Sequence, residues 1–164
     1  GTDVSSGNQT FDAVITFGTE NMAKAARAAK AQLFLMISGL GAGDVENSAA
    51  AVAKGQAEIA AAKVFPGTLV LRPSVVFGSG DRFFNKMASM ARFSPVLPLI
   101  GGGTVPCQPV FVGDVAEAVA RLIDQGQANG KTYELGGPEV ATMWEITQFT
   151  LDTVYRKRVL LPLP

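Results

Sequence analysis

The sequence predicts an α/β protein built around a doubly wound parallel sheet. Two apolar runs, LFLMIS from residue 33 and TLVLRPSVVFG from residue 68, lack the strict polar alternation of half-buried strands and are typical of strands buried on both faces. Segments with helical spacing of apolar residues stand before and between these runs, and the connections are short. Alternation of helix and strand with short connections favours a parallel sheet with helices on both faces.

The first half of the chain alternates regularly between helix and strand. The first helix is predicted from Phe11, with Thr10 as its cap. The glycines of SGLGAG at 38–43 predict a loop, and a second helix follows over about 49–63 until FPG breaks it. Ligands bind beyond the carboxyl ends of the strands in such sheets, so a ligand-binding or catalytic site is expected at 38–43 and 73–80.

The second half of the chain is less regular but contains three further helix signals. DRFFNKMASMARF carries apolar residues on one helical face, with Asp81 as the expected cap. GDVAEAVARLI and TMWEITQFTLDTVYRKR each begin with capping-box spacing, at Asp114 and Glu117 and at Thr142 and Glu145. KTYEL predicts a short strand, and LLPLP predicts an extended tail. The intervening segment SPVLPLIGGGTVPCQPVFV shows no clear period.

The composition excludes several classes of function. The chain has 164 residues, of which 48% are apolar, so it can form a substantial core, and its formal net charge is zero. Zero net charge without a basic run argues against nucleic acid or an anionic membrane surface as the main partner. Because there is no histidine, His-based acid–base catalysis is excluded and no metal site is expected. The single cysteine, Cys107, is predicted to be a buried thiol.

No segment has the features of a membrane span or a secretion signal. The apolar runs are interrupted by charged residues, Gly and Pro well short of the roughly 20 residues that a spanning helix needs. The start, GTDVSSGNQT, lacks the basic-then-apolar layout of a signal peptide and is interpreted as a loop that leads into a helix cap.

Several motifs in this order, LFLMIS, Lys54, LRPSVVFG, QPVFVGDVAEAVA and TYELGGPE, resemble the extended and atypical short-chain dehydrogenase/reductase superfamily. RPSVVFGSGDRFF followed by QPVFVGDVAEAV is similar to one branch in particular. That branch is the nucleotide-binding accessory subunit of respiratory complex I (NADH:ubiquinone oxidoreductase) and its bacterial relatives, the NAD-dependent epimerase/dehydratases. The resemblance, from about Phe11 to LLPLP, implies part of a Rossmann-like dinucleotide-binding domain over 1–80. It also implies a smaller substrate-domain-like region over 81–164, with a return to the sheet near 105–136.

The chain departs from the family at its phosphate-binding turn. Members begin with a strand and a Gly-rich turn, which places dinucleotide phosphates at a helix N-terminus. Here GTDVSSGNQT aligns with the segment after the fourth strand of the family, so the first four strands are expected to be missing. SGLGAG and GGGT do not match G-x-G-x-x-G and are interpreted as loops. The residue that senses the 2′ position would lie on the absent second strand, so the choice between NAD and NADP stays open.

The second departure concerns catalysis. The resemblance implies an Asn, a Ser and a Tyr-x-x-x-Lys pair, in which the Tyr relays a proton and the Lys holds the cofactor ribose and lowers the Tyr pKa. The matching positions are Ile15, Gly39 and Ala50, and only Lys54 is retained. A methyl group cannot relay a proton, and the loss of one general acid–base group costs roughly 10²–10⁴ in rate. We therefore expect a degenerate active site.

The resemblance implies a cofactor-binding set at the carboxyl ends of the two apolar strands. Ser38 and Lys54 would contact the dinucleotide, with Lys54 holding the ribose, and the nicotinamide ring would rest on Pro73, Ser74 and Val75. Two alternatives stay open: Lys54 as a solvated lysine on an alanine-rich helix, and Ser38 as a hydroxyl that caps the loop.

Two further residues are candidates for a substrate cleft. Arg82 follows the expected cap Asp81, and Gln108 precedes Pro109 in the second half of the chain. The alternative for Arg82 is a solvated neighbour of the cap. The basic run at 156–158 is interpreted as a helix end that satisfies its own dipole, with a docking patch as the alternative.

Three functional hypotheses follow. The first is an NAD(P)-binding, non-catalytic protein of the complex I accessory-subunit type, in the cytoplasm or peripheral on the inner face of a respiratory membrane. The second is an active NAD(P)-dependent oxidoreductase or epimerase on a nucleotide-linked or quinone-like substrate, with Tyr133 as the nearest replacement acid by type. The third is a cofactor-free interaction domain whose exposed sheet edge pairs with a protein partner or a second copy.

Overall fold

The structure is a computed structural model that describes residues 9–44 and 48–164. The loop predicted at the start of the chain lies, for residues 1–8, outside the described residues. The described chain forms two compact units. The first contains the residues up to Pro73 together with Glu117–Leu135, and the second contains Ser74–Ala116 and Gly136–Pro164.

The regular elements are as follows in chain order. The helices are a π-helical turn at Asp12–Thr16 that continues into α1 (Phe17–Ala28), then α2 (Ala49–Val64), α3 (Phe84–Phe93), α4 (Val112–Gln125) and α5 (Met143–Thr153). The strands are β1 (Leu35–Ile37), β2 (Leu69–Pro73), β3 (Val76–Phe77), β4 (Val96–Ile100), β5 (Pro106–Cys107), β6 (Val110–Phe111), β7 (Thr132–Leu135), β8 (Ala141–Thr142) and β9 (Val159–Leu163).

The first unit is organised by a three-stranded sheet in the order β1-β2-β7. β1 and β2 run parallel, with Leu35 opposite Leu69, and β2 and β7 run parallel, with Val70 opposite Thr132. Leu69 and Leu71 are 0% exposed and Val70 is also buried, so both faces of β2 are covered. The predicted parallel pairing of the two apolar runs is confirmed.

Small side chains let α1 and α2 approach closely in the first unit. Ala23 on α1 and Ala61 on α2 are completely buried and pack with Phe65. The N-terminal ends are fixed by polar caps: the Ala13 N–H donates to Thr10 Oγ1 at 3.0 Å, as predicted, and the Ala51 N–H donates to Ser48 Oγ at 3.1 Å. Each such cap contributes about 1 kcal/mol because it satisfies an otherwise unpaired helix N–H.

The second unit packs α3 and α5 with a two-stranded parallel ribbon of β4 and β9. Ala91, Leu97 and Leu151 form its small core. Asp81 caps α3, since the Phe84 N–H donates to Asp81 Oδ1 at 2.7 Å, and the predicted capping box of Thr142 and Glu145 is present on α5. Short pairs β3–β6 and β5–β8 complete the unit.

Several local predictions were wrong. Asp114 does not cap a helix, because α4 already begins at Val112 and Asp114 lies in its first turn. Cys107 is only partly buried. The segment without a clear period contains β4, β5 and β6, whereas the closing tail is extended, as predicted, and is paired as β9. Arg158 satisfies a helix end other than its own: its Nε donates at 2.8 Å to the Ala91 carbonyl in the last turn of α3.

Gly55 provides a test of how closely α2 packs on the loop that follows β1. A Cβ built at Gly55 would lie 2.4 Å from Gly43 Cα, whereas a Cβ at Gly18 on α1 meets nothing closer than 3.9 Å. We expect Gly55→Ala to lower the free energy of unfolding by about 1–3 kcal/mol through overpacking. The matched control Gly18→Ala should raise it by up to about 1 kcal/mol through helix propensity. Urea denaturation measures both, and stabilisation by both variants would contradict the close contact.

The capping box of α5 predicts a pH dependence. The pKa of Glu145 is lowered because the backbone N–H and the hydroxyl of Thr142 donate to its carboxylate, at 2.7 and 2.8 Å. A lowered folded-state pKa contributes stability above the unfolded-state pKa, and that contribution is lost as pH falls through the folded-state pKa. We therefore expect the Tm difference between wild type and Glu145→Gln to shrink from pH 7 towards acid. Glu139→Gln is the control, and a constant difference would contradict the prediction.

Candidate functional site

The candidate site lies at the carboxyl ends of β1 and β2 in the first unit. The Ser38 N–H donates to the Leu71 carbonyl at 2.7 Å, and the Leu40 N–H donates to the Pro73 carbonyl at 3.2 Å. The loop after β1 therefore stays hydrogen-bonded to the end of β2. It turns away at Gly41 and Gly43, whose φ values of 74° and 89° suit glycine.

The side chain of Lys54 reaches this loop from α2. A Cβ built at Gly39 would lie 3.0 Å from Lys54 Nζ and 4.0 Å from the Pro73 carbonyl oxygen. The ammonium group therefore lies over Gly39, beside the ends of both strands. The predicted proximity of this lysine to the carboxyl edge of the sheet is confirmed, and its role as a cofactor ligand stays a prediction.

Ser38 contributes a buried hydroxyl group to the same edge. Its side-chain oxygen has no hydrogen-bond partner among the described residues, although the residue is only 8% exposed. A buried hydroxyl without a partner costs about 1–3 kcal/mol. The interpretation of Ser38 as a loop cap has no supporting hydrogen bond, and the hydroxyl group is left able to pair with a ligand.

The structure also places two of the residues that stand where the resemblance implies catalytic groups. Ala50 lies in the first turn of α2, one turn before Lys54 and on the same face of the helix. Ile15 lies in the π-helical turn Asp12–Thr16. In this turn the Thr16 hydroxyl lies 3.2 Å from the Ala53 carbonyl of α2, to which it donates. The sequence pattern predicted an ordinary helix here and not a π-helical turn. Such turns are common at functional sites.

A bidentate ion pair positions α2 on the sheet. Arg72 Nε and Nη2 donate to the two carboxylate oxygens of Glu58 at 3.0 and 2.6 Å. Glu134 on β7 adds a longer contact of 3.6 Å to the same guanidinium. The hydrogen bond to Glu58 is the main cause of the raised pKa of Arg72, so the guanidinium stays charged. Because Glu58 lies one helical turn after Lys54, the pair also fixes the face of α2 that carries Lys54 against the sheet.

The remaining predicted site residues belong to the second unit. Ser74 and Val75 are half-buried, and the Val75 carbonyl accepts from the Val110 N–H at 2.9 Å. Gln108 Nε2 donates to the Gly137 carbonyl at 2.6 Å. Arg82 is exposed and follows the cap of α3. The structure thus brings Ser38, Lys54 and Pro73 together in the first unit.

The second unit has its own cleft of about 800 Å³. Its lining combines aromatic rings with carboxylates, from Phe77, Phe84, Phe111 and Phe149 and from Asp81, Asp114, Glu139 and Glu145. The lining contains no Lys or Arg, so it offers no counter-charge to a diphosphate, and neither Arg82 nor Gln108 is part of it. Among the described residues, no group of His, Cys, Asp and Glu side chains is arranged to hold a metal ion.

Comparison with curated proteins identifies several relatives that are named as complex I subunits. The chain is 41% identical over 134 residues to NADH dehydrogenase [ubiquinone] 1 alpha subcomplex subunit 9, mitochondrial, of Arabidopsis thaliana, across 80% of the chain and 33% of the relative. The protein of the same name from Mus musculus is 31% identical across 96% of the chain and 42% of the relative. The NADH-ubiquinone oxidoreductase 40 kDa subunit, mitochondrial, of Neurospora crassa is 27% identical across 96% and 41%. No family model matches the chain.

Solved structures show the same fold at low sequence identity. A dTDP-glucose 4,6-dehydratase from Bacillus anthracis in complex with NAD superposes with a TM-score of 0.79 at 17% identity, covering 98% of the chain and 58% of the enzyme. A dTDP-4-dehydrorhamnose reductase from the same organism in complex with NADP gives 0.74 at 18% identity, covering 91% and 56%.

The fold is α/β and Rossmann-like, as the sequence predicted, and it matches the folds of these NAD- and NADP-bound enzymes. Within this class the chain is homologous to part of the mitochondrial complex I subunit called alpha subcomplex subunit 9 or 40 kDa subunit, and the predicted resemblance is confirmed. The chain spans about two fifths or less of the length of these relatives. No helix in the described part of the chain is long and apolar enough to cross a membrane.

The ion pair that positions Lys54 can be tested against an exposed pair of the same chemistry. We expect Glu58→Gln to lower the free energy of unfolding by about 3 kcal/mol, because it leaves the half-buried Arg72 without its carboxylate. Glu117→Gln breaks the Glu117–Arg121 pair on α4, whose side chains are 60% and 73% exposed, and should cost about 0.5 kcal/mol or less. Chemical denaturation compares the two, and equal costs would show that Glu58 does not anchor α2.

Proposed function

We propose that the chain is an NAD(P)-binding, non-catalytic protein of the complex I accessory-subunit type. The observation that carries this proposal is the ammonium of Lys54 over Gly39, at the strand edge that also carries the unpaired hydroxyl of Ser38 and where the acid–base hydroxyls that the resemblance implies are absent. The relatives are named as complex I subunits, and proteins of the same fold are described in complex with NAD or NADP.

Lys54, Ser38 and Pro73 would hold the ribose and nicotinamide end of the dinucleotide, with Ser74 and Val75 following along the chain. A lysine ammonium donates hydrogen bonds to ribose hydroxyls, and a serine hydroxyl both donates and accepts. In catalytic members of this fold class the cofactor supplies hydride transfer. The sequence has no G-x-G-x-x-G turn, so these residues represent the ribose side of the site only.

Neither of the two hydroxyl groups that the resemblance implies for proton relay is present. Gly39 and Ala50 stand where the resemblance implies Ser and Tyr. Tyr133 does not replace them, because it lies in the middle of β7, opposite Leu71. Binding without catalysis therefore accounts for the retained lysine better than an active oxidoreductase or epimerase does.

We assign the two units different parts in this scheme. The first unit, with β1-β2-β7, is the part of the dinucleotide-binding domain present in this chain. The second unit corresponds to the substrate-domain side of the related enzymes, with a cleft that does not suit a diphosphate. The proposed location is peripheral, on the inner face of a respiratory membrane, which is the matrix side in a mitochondrion.

A cofactor-free interaction domain is the second candidate, and the edge of the first unit favours it. The Ser38 N–H and the Phe34 carbonyl are bonded to β2, so the alternating backbone groups of Leu35 and Ile37 point the other way. Within the described residues β1 is an edge strand, and Ile37 is 58% exposed. An edge of this kind pairs readily with another strand.

An NADPH titration followed by fluorescence separates these candidates. We expect saturable binding by wild type, and Lys54→Ala should weaken it by about 10- to 100-fold, because a hydrogen bond from a charged group is worth about 1.5–3 kcal/mol. Lys63→Ala, an exposed lysine in the last turn of the same helix, is the matched control and should bind like wild type.

The outcomes of the titration are distinct. Loss of affinity in both lysine variants would contradict a specific role for Lys54. Absence of binding by wild type, both in this chain and in a longer homologous chain, would favour the cofactor-free domain. Turnover of a keto or sugar-nucleotide substrate with bound cofactor would overturn the non-catalytic assignment.

A further inference from the structure

The ribbon of β4 and β9 in the second unit has two apolar faces, of which one is exposed. Side chains alternate along each strand, so Leu97 and Leu99, each 3% exposed, point into the core. The opposite face, here called the ribbon face, consists of Val96, Pro98, Ile100, Val159, Leu161 and Leu163. Ile100 is 75% exposed, Val159 62% and Leu161 48%. Contiguous exposed apolar patches of this kind mark interaction sites.

Aromatic and basic residues gather at one end of the ribbon face. Because β4 and β9 are parallel and Val96 lies opposite Val159, the segments that precede both strands meet at the same end. These segments contribute Phe93 at 82% exposure and Tyr155 at 94%. They also contribute the cations Arg92, Arg156, Lys157 and Arg158.

The charge of this end is not neutralised by the adjoining sequence. Residues 153–163, which include β9, contain no acidic residue, and the Asp152 carboxylate accepts a hydrogen bond from Gln148 Nε2 at 3.0 Å. Arg158 is held in place by its bond to the Ala91 carbonyl of α3. The zero net charge of the whole chain therefore conceals a local excess of positive charge.

The edges of the ribbon are poorly suited to strand addition. The Val159 N–H donates to the Pro95 carbonyl, so the odd-numbered residues of both strands bond across the ribbon and the even-numbered ones point outward. Two of the outward positions are Pro98 and Pro162, which have no N–H. At a third, Val96, the N–H and the carbonyl are both bonded to Ser94 Oγ. These features favour a partner that covers the ribbon face over one that extends the sheet.

We propose that the ribbon face binds the surface of an anionic phospholipid membrane. Aliphatic side chains enter the boundary of the acyl region, and Phe93 and Tyr155 occupy the headgroup level, where amphipathic rings are favoured. Arg92, Arg156 and Lys157 contact lipid phosphates, and their attraction to an anionic leaflet adds to the apolar burial. This inference rests on the peripheral location proposed above and is independent of dinucleotide binding.

Flotation with phosphatidylcholine vesicles, with and without phosphatidylglycerol, tests the proposal on the whole chain. We expect wild type to bind the anionic vesicles and to be released from them by salt. Leu161→Glu should lower the partition coefficient about tenfold or more. Arg156→Gln/Lys157→Gln should lower it roughly 30-fold, since each basic residue near an anionic surface contributes about fivefold.

Matched controls separate the ribbon face from exposed apolar and basic residues in general. Met22→Glu replaces an apolar residue of α1 that is 66% exposed, and Lys63→Gln/Lys131→Gln removes two cations from the first unit. Both should bind anionic vesicles like wild type, and circular dichroism should show all variants folded. Failure of wild type to bind, or equal binding by the ribbon and control variants, would overturn the proposal. A wild-type dimer that Leu161→Glu converts to a monomer, without vesicle binding, would assign the face to a second copy and likewise overturn it.

Discussion

The Glu58–Arg72 ion pair is the constraint on which the candidate site depends. It joins the third turn of α2 to β2 by two short hydrogen bonds, in a place where the carboxylate is almost fully buried. Breaking such a pair leaves a buried charge without a partner, so the helix cannot slide or rotate on the sheet without a large cost. Lys54 lies one turn away on the same helix face. The backbone of Lys54 is therefore positioned near the strand ends by an interaction in which Lys54 takes no part.

What this geometry retains is suited to binding and unsuited to proton transfer. In the related enzymes a lysine beside a tyrosine lowers the tyrosine pKa, but a lysine beside Ala50 has no acid to act upon. The ammonium and the unpaired Ser38 hydroxyl still present donors to a polyhydroxyl ligand. A ligand that forms a hydrogen bond with this hydroxyl removes the cost of burying it without a partner. By binding the folded state, the ligand also stabilises that state by mass action. A structural role for a bound dinucleotide therefore needs fewer groups than catalysis, and these are the groups that remain.

The features predicted from the sequence are those encoded locally. Unbroken apolar runs predicted the parallel pair β1–β2, and spacing alone predicted the capping box at Thr142. The ribbon of β4 and β9 was missed because its strands are separated by some sixty residues and interrupted by prolines, so no periodic signal remains. The Glu58–Arg72 pair was missed for a similar reason. It joins a helix to a strand, and the sequence does not show which acidic residue meets which basic residue in the fold. Asp114 was misassigned because capping-box spacing also occurs one turn inside a helix.

Similar apolar sequences form a fully buried strand in the first unit and a half-exposed strand in the second unit. LVLRP in β2 is covered on both faces, whereas VLPLI in β4 buries only alternate side chains. Exposure of apolar side chains to water is unfavourable. A strand that is apolar on its exposed face as well therefore indicates a surface that binds a partner. Prolines at two of the outward backbone positions, Pro98 and Pro162, disfavour the addition of a further strand. The cations at one end of the ribbon then favour an anionic phospholipid membrane, rather than a neutral protein surface, as the partner of the ribbon face.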